Sequence, residues 1–188
     1  MTPTVLVDPR FEAIASHGFA GADAFLTLLA TEIAPTIEQR HGLSANGRGI
    51  GGWSLGGLLT CYALLTRPDD FKKFLAVSPS LWWDEQHLVK RSAEVSAGSL
   101  AGIHLYSGTG EHENDVDKMW PPIPDELKDV VRGSQLDSAM VSTANEFATN
   151  LSNGSGIHLS QEIIADEHHS TIWGAAVTRG LVELYGRS

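Results

Sequence analysis

Ser54 lies in Gly51-Gly52-Trp53-Ser54-Leu55-Gly56-Gly57, the Gly-x-Ser-x-Gly arrangement of a sharp strand-to-helix turn that pushes a serine hydroxyl outward. Glycines at 52 and 56 permit the turn, and Leu55 offers its backbone N–H to an oxyanion at the start of the helix that follows. The five-residue pattern alone is weak, since a serine capping a helix on a glycine-rich turn is spelled the same way. A neutral hydroxyl is also a poor nucleophile: it needs a base, and the base needs a group that orients it. Glu167-His168-His169-Ser170 supplies two imidazoles late in the chain, and Glu111, directly after Gly108-Thr109-Gly110, supplies a carboxylate between serine and histidine.

Those residues acquire meaning only from the elements that hold them. Phe25, Leu28, Leu29, Ile33 and Ile37 recur at helical spacing, so a helix is expected from Gly21 to His41, ended by Gly42. A short strand follows from Gly49 to Trp53, then a Leu- and Ala-rich helix from Leu55 to Arg67, stopped by Pro68. Phe74-Leu75-Ala76-Val77 is a continuous apolar run suited to a strand covered on both faces. Ile103 to Tyr106 is a further strand, closed by the turn-forming Gly108-Thr109-Gly110. Leu136 to Leu151 is a helix, Ile157 to Ile164 the last strand, and Ile172 to Tyr185 the last helix. Pro121, Pro122 and Pro124 give the stretch from Lys118 to Arg132 an irregular course. Strands alternating with helices imply a mostly parallel sheet with helices on both faces, in one domain over residues 1–188. In that setting Ser54 sits between strand and helix, and Glu111 and the histidine pair each follow a late strand.

Composition removes several other readings. The net charge of -10 repels phosphate backbones, so nucleic acid is excluded as a partner. No run approaches the ~20 apolar residues that cross a bilayer, which excludes a membrane span. The N-terminus lacks the basic start and long apolar segment of a secretory signal, so a cytoplasmic location is expected. Cys61, the one cysteine, lies in an apolar run and reads as a buried small residue. The acidic run Glu111 to Asp117 does not have the spacing of a calcium loop and reads as solvated. With no HExxH and no Cys cluster, neither a metal nor another cofactor is expected. Trp53, Trp82 and Trp173 are candidates for walls of an apolar acyl or aryl pocket; Trp83 and Trp120 could serve there too, but tryptophans in a chain of this size more often belong simply to the core.

Gly51 to Leu58, Ala63 to Pro68 and Ser78-Pro79-Ser80-Leu81-Trp82-Trp83-Asp84 resemble an esterase family of the α/β-hydrolase superfamily that includes the siderophore esterases. The similarity runs back through Gly21 to Phe25 and Glu32 to Pro35 and forward to Ser170, covering most of the chain. The resemblance implies Ser54 as nucleophile and one of His168 and His169 as base, with His169 preferred because small residues, Ser170-Thr171, follow it. Glu111 occupies the acid's place after the penultimate strand, with Glu113 and Asp115 near enough to exchange roles. It further implies extra strands ahead of the first helix and a loop that donates the second oxyanion N–H. Here only Thr4-Val5-Leu6-Val7 can form a strand before that helix, so a shortened α/β-hydrolase sheet is expected. The nucleophile strand would then lack a neighbour on one side, which points to a homo-oligomer. The implied activity is hydrolysis of small-molecule carboxylic esters through an acyl-enzyme. An acyltransferase using the same residues and a non-catalytic binding domain are the rivals.

Overall fold

The helical pattern from Gly21 to His41 folds as three consecutive segments. In the computed structural model, which describes residues 1–4, 20–118, 122, 124–126, 128–129 and 139–186, α1 (Ala22–Leu28) passes into a π-helical turn (Leu29–Ile33) and then α2 (Ala34–His41). Pro35 accounts for the break in register. Within the π turn the Ala34 N–H donates to the Leu29 carbonyl, so the next donor would be residue 35 onto Ala30, and proline has no N–H to give. Arg48 fills the gap. Its Nη1 donates to the Ala30 carbonyl at 3.3 Å while Nε and Nη2 grip the two oxygens of Glu38 at 2.8 and 2.7 Å. The guanidinium holds the Glu38 carboxyl below its ordinary range and ties the helical run to the start of the sheet.

The sheet has four parallel strands in sequence order: β1 (Gly49–Trp53), β2 (Lys73–Val77), β3 (His104–Gly110) and β4 (His158–Ile164). Register aligns Ile50, Phe74, Leu105 and Leu159 on one face and Gly51, Leu75, Tyr106 and Ser160 on the other. The first face packs against α1, α3 (Leu55–Thr66), α4 (Trp83–Ser92) and α5 (Met140–Ser152), forming the main core with Leu26, Leu58, Leu64, Leu88 and Phe147. The second face is covered by α6 (Ile172–Tyr185), whose Ile172, Ala176 and Leu184 meet Leu75, Val77, Tyr106 and Ile164. The architecture is thus the expected α/β-hydrolase type with a shortened parallel sheet and helices on both faces.

Three elements differ from expectation. Gly108-Thr109-Gly110 is not a turn; β3 continues through all three and pairs with β4 as far as Ile164. Pairing with β4 at all three residues, and with β2 at Gly108, overrides the turn preference of glycine there. Helix α4 has no counterpart in the sequence reading, and its first turn is irregular, with Asp84, Glu85 and Gln86 at positive φ. Of the expected strand Thr4 to Val7, Thr4 is outside any strand and accepts a hydrogen bond from Trp83 Nε1 at 3.2 Å, while residues 5–7 lie outside the described residues. Trp120, the start of the expected helix at 136–138 and most of the irregular stretch before it also lie outside them. Cys61 is buried and free, as its surroundings require, and burial pushes its thiol pKa up. Among the described residues, no helix is long and apolar enough to cross a membrane.

Candidate active site

The C-terminal ends of all four strands converge on one place, which is where open parallel sheets present their chemistry. Ser54 follows β1 directly and precedes α3, at φ 59 and ψ -118, a backbone conformation that side chains with a Cβ rarely adopt. Its N–H donates to the Val77 carbonyl and its carbonyl accepts from Leu58 and Ser80, so the strained residue is held by β2, its own helix and the loop after β2. The close turn depends on Gly52: a Cβ there would lie 2.4 Å from the carbonyl carbon and oxygen of Gly56. A Cβ on Gly56 itself would meet nothing within 4 Å, so the second glycine of the pattern is not sterically required.

His169, in the loop between β4 and α6, places Nε2 at 3.0 Å from Ser54 Oγ. Its Nδ1 lies 2.7 Å from Oε2 of Glu113, whose side chain is entirely buried. Oε1 of the same carboxylate accepts the hydroxyl of Ser78 and the Gly110 N–H, the latter at 3.1 Å. A continuous hydrogen-bonded path therefore runs from the serine hydroxyl through the imidazole to a buried carboxylate. Such a path can carry a proton off the serine and stabilise the imidazolium that results.

Glu111 is not part of it. The side chain of Glu111 is half exposed, and its Oε2 accepts the Asp166 N–H at 3.1 Å. The reason is the tight turn that begins after Gly110, in which Asp115 N–H closes onto the His112 carbonyl. This turn sends residue 111 outward and residue 113 inward, where it is buried. Asp115 is also elsewhere, capping the following turn by accepting the Asp117 N–H. His168, the other imidazole, is buried, and its Nδ1 accepts the Ser170 N–H at 3.2 Å while its carbonyl takes the N–H groups of Thr171 and Ile172. These bonds tie His168 to the start of α6, whose N-cap residue is Thr171. Glu111, His112 and Asp166 each bring one ligand-type atom within 4.8 Å of the others, but Glu111 and Asp166 face solvent.

Leu55 is the first residue of α3, so its N–H has no acceptor within the helix and is available beside the Ser54 hydroxyl. The Ser80 hydroxyl, nearly fully buried, is 3.4 Å from Ser54 Oγ. Trp53 stands next to His169, their ring centroids 4.9 Å apart. Trp173 is near half exposed on the first turn of α6. Trp82 instead packs against the main core, its ring 5.9 Å from that of buried Trp83. Ser78 and Ser80 escaped the sequence reading as site residues. Their position in the loop after the strand beside β1 was the available signal.

A siderophore triacetylfusarinine C esterase of Aspergillus fumigatus is 28% identical to the chain over 184 residues, 92% of this chain and 61% of that protein. A siderophore enterobactin esterase of Emericella nidulans is 27% identical over 182 residues, 94% of this chain and 58% of that protein. Among solved structures, the siderophore hydrolase EstA from Aspergillus nidulans matches at TM-score 0.79 and 28% identity, over 90% of this chain and 58% of that one. The chain thus spans about three fifths of the length of these relatives. The model of the family described as Putative esterase matches residues 7–178, and the chain belongs to that family.

Proposed function

We propose that the chain is a serine hydrolase that cleaves small-molecule carboxylic esters through an acyl-enzyme on Ser54, with His169 as base and Glu113 as the orienting acid. The observation that carries this reading is the unbroken sequence of contacts from Ser54 Oγ to His169 Nε2 at 3.0 Å and from His169 Nδ1 to Glu113 at 2.7 Å. Membership of the esterase family and the siderophore esterases among the relatives support the reaction class.

In this reaction His169 Nε2 takes the Ser54 proton as Oγ attacks the ester carbonyl. The Leu55 N–H meets the negative charge that develops on the carbonyl oxygen. Collapse of the tetrahedral adduct breaks the bond to the alcohol oxygen, which leaves with the proton from His169. Water then attacks the acyl group, gives its proton to His169, and frees Ser54 with its own proton restored. No bound group beyond these side chains takes part. Trp53, beside the imidazole and partly exposed, is the wall against which we place the acyl or alcohol portion, with Trp173 as a second wall. Among the described residues β1 pairs on one side only, with β2, and an open edge of that kind favours association with a second copy of the chain.

Labelling with a fluorophosphonate probe tests the reading, because it reports an activated serine whatever the substrate. Modification mapped to Ser54, and lost in Ser54→Ala, is the expected result. A wild-type chain that the probe leaves unmodified would overturn it.

A further inference from the structure

We propose that Ser78 is a positioning residue for this reaction, fixing the Glu113 carboxylate so that one oxygen faces His169; the inference rests on the function proposed above. Ser78 is completely buried and directly follows β2, the strand paired with β3, after which comes the loop that carries Glu113. Its backbone holds its place without help from the side chain, since its N–H donates to the Gly108 carbonyl at 2.8 Å. Its φ of 40 lies in the left-handed region, which glycine enters with less strain than serine. What serine adds at this position is its hydroxyl, and that hydroxyl donates to Glu113 Oε1.

The consequence follows from carboxylate geometry. The torsion that rotates a glutamate's terminal carboxylate is soft, with broad minima. Two donors on Oε1, the Ser78 hydroxyl and the Gly110 N–H, define the plane of the group and leave Oε2 aimed at Nδ1 of His169. Because the Glu113 side chain has no exposure, water does not replace a donor that is removed. With Gly110 alone the carboxylate gains freedom to turn, and the imidazole loses the partner that keeps Nε2 directed at Ser54. The Ser78 hydroxyl bonds to Glu113 and not to Ser54 or His169, so its effect passes through Glu113.

Inactivation kinetics with a fluorophosphonate separate this role from a merely structural one. The proteins compared are wild type, Ser78→Ala and Ser78→Gly, each with and without Glu113→Gln. The expected result is a roughly ten- to hundredfold lower maximal inactivation rate in both Ser78 variants, the scale of a lost hydrogen bond to a buried charge. Half-saturation by the probe stays unchanged, and neither substitution lowers the rate further once Glu113 is Gln. Ser78→Gly keeps the experiment decisive if Ser78→Ala folds poorly, because glycine suits the left-handed backbone. A wild-type rate in Ser78→Gly, or an equal further loss on the Glu113→Gln background, would overturn the inference while leaving the esterase reading intact. A wild-type chain without labelling at Ser54 would remove the reading and the inference together.

Discussion

The carboxylate of Glu113 meets Nδ1 of His169 at 2.7 Å across 56 residues of sequence, with none of the glutamate side chain exposed. Its second oxygen is held by groups from two other places, the loop after β2 and the end of β3, so protein contacts rather than water set its direction.

That arrangement separates two nearby glutamates. Glu113→Gln lowers ester turnover by roughly a thousandfold or more, because the amide favours the wrong imidazole tautomer. Glu111→Gln, at a half-exposed site outside the path, leaves turnover within about twofold. Steady-state hydrolysis of p-nitrophenyl acetate measures both; a large loss at Glu111 with none at Glu113 would return the acid's role to residue 111.

The adjacent histidines part in the same way. His169→Ala is expected to be as damaging to turnover as Ser54→Ala. His168→Ala retains the chemistry and lowers stability by about 1–3 kcal/mol, because it removes a buried ring and the acceptor of the Ser170 N–H. Turnover and urea midpoints read side by side check this. A His168 variant of wild-type stability but no activity would reverse the assignment.

The two glycines around Ser54 are not equivalent. Gly52→Ala forces a Cβ against the Gly56 backbone, where no flexible side chain is available to yield, and costs about 2 kcal/mol or more with loss of the active turn. Gly56→Ala enters open space and leaves the fold intact. Thermal melting of the two variants tests the contrast, and equal melting temperatures would contradict it.

Association is the remaining prediction. β1, paired on one side only among the described residues and ending at the exposed Trp53, is expected to pair with a second copy of the chain. Light scattering across a dilution series should show mass falling toward that of a single chain only at low concentration. A monomer of full activity at micromolar concentration would count against pairing through β1.

The sequence by itself determined the order of the four strands and of the helices other than α4, and the identity of the strand-turn-helix around Ser54. Those features arise from local spacing: apolar residues at helical or strand period, glycines where the backbone turns, Pro68 where a helix stops. It also pointed to the loops after β3 and β4 as the source of the proposed acid and base, since topology assigns chemistry to strand ends. Which glutamate turns inward was decided by tertiary structure. Residues 111 and 113 have the same chemistry and are two positions apart. Their directions depend on a tight turn whose closing contacts include the Glu167 carbonyl, which accepts the His112 N–H from across the site. Gly110 is where these loops meet, for a Cβ on it would lie 2.5 Å from the Glu167 carbonyl oxygen. The same holds for Gly108-Thr109-Gly110, which has turn-forming composition and becomes buried strand because β4 pairs with all three residues and β2 with Gly108. Ser78 reaches Glu113 only when β2 and β3 lie side by side, a contact across 35 residues that no local pattern encodes.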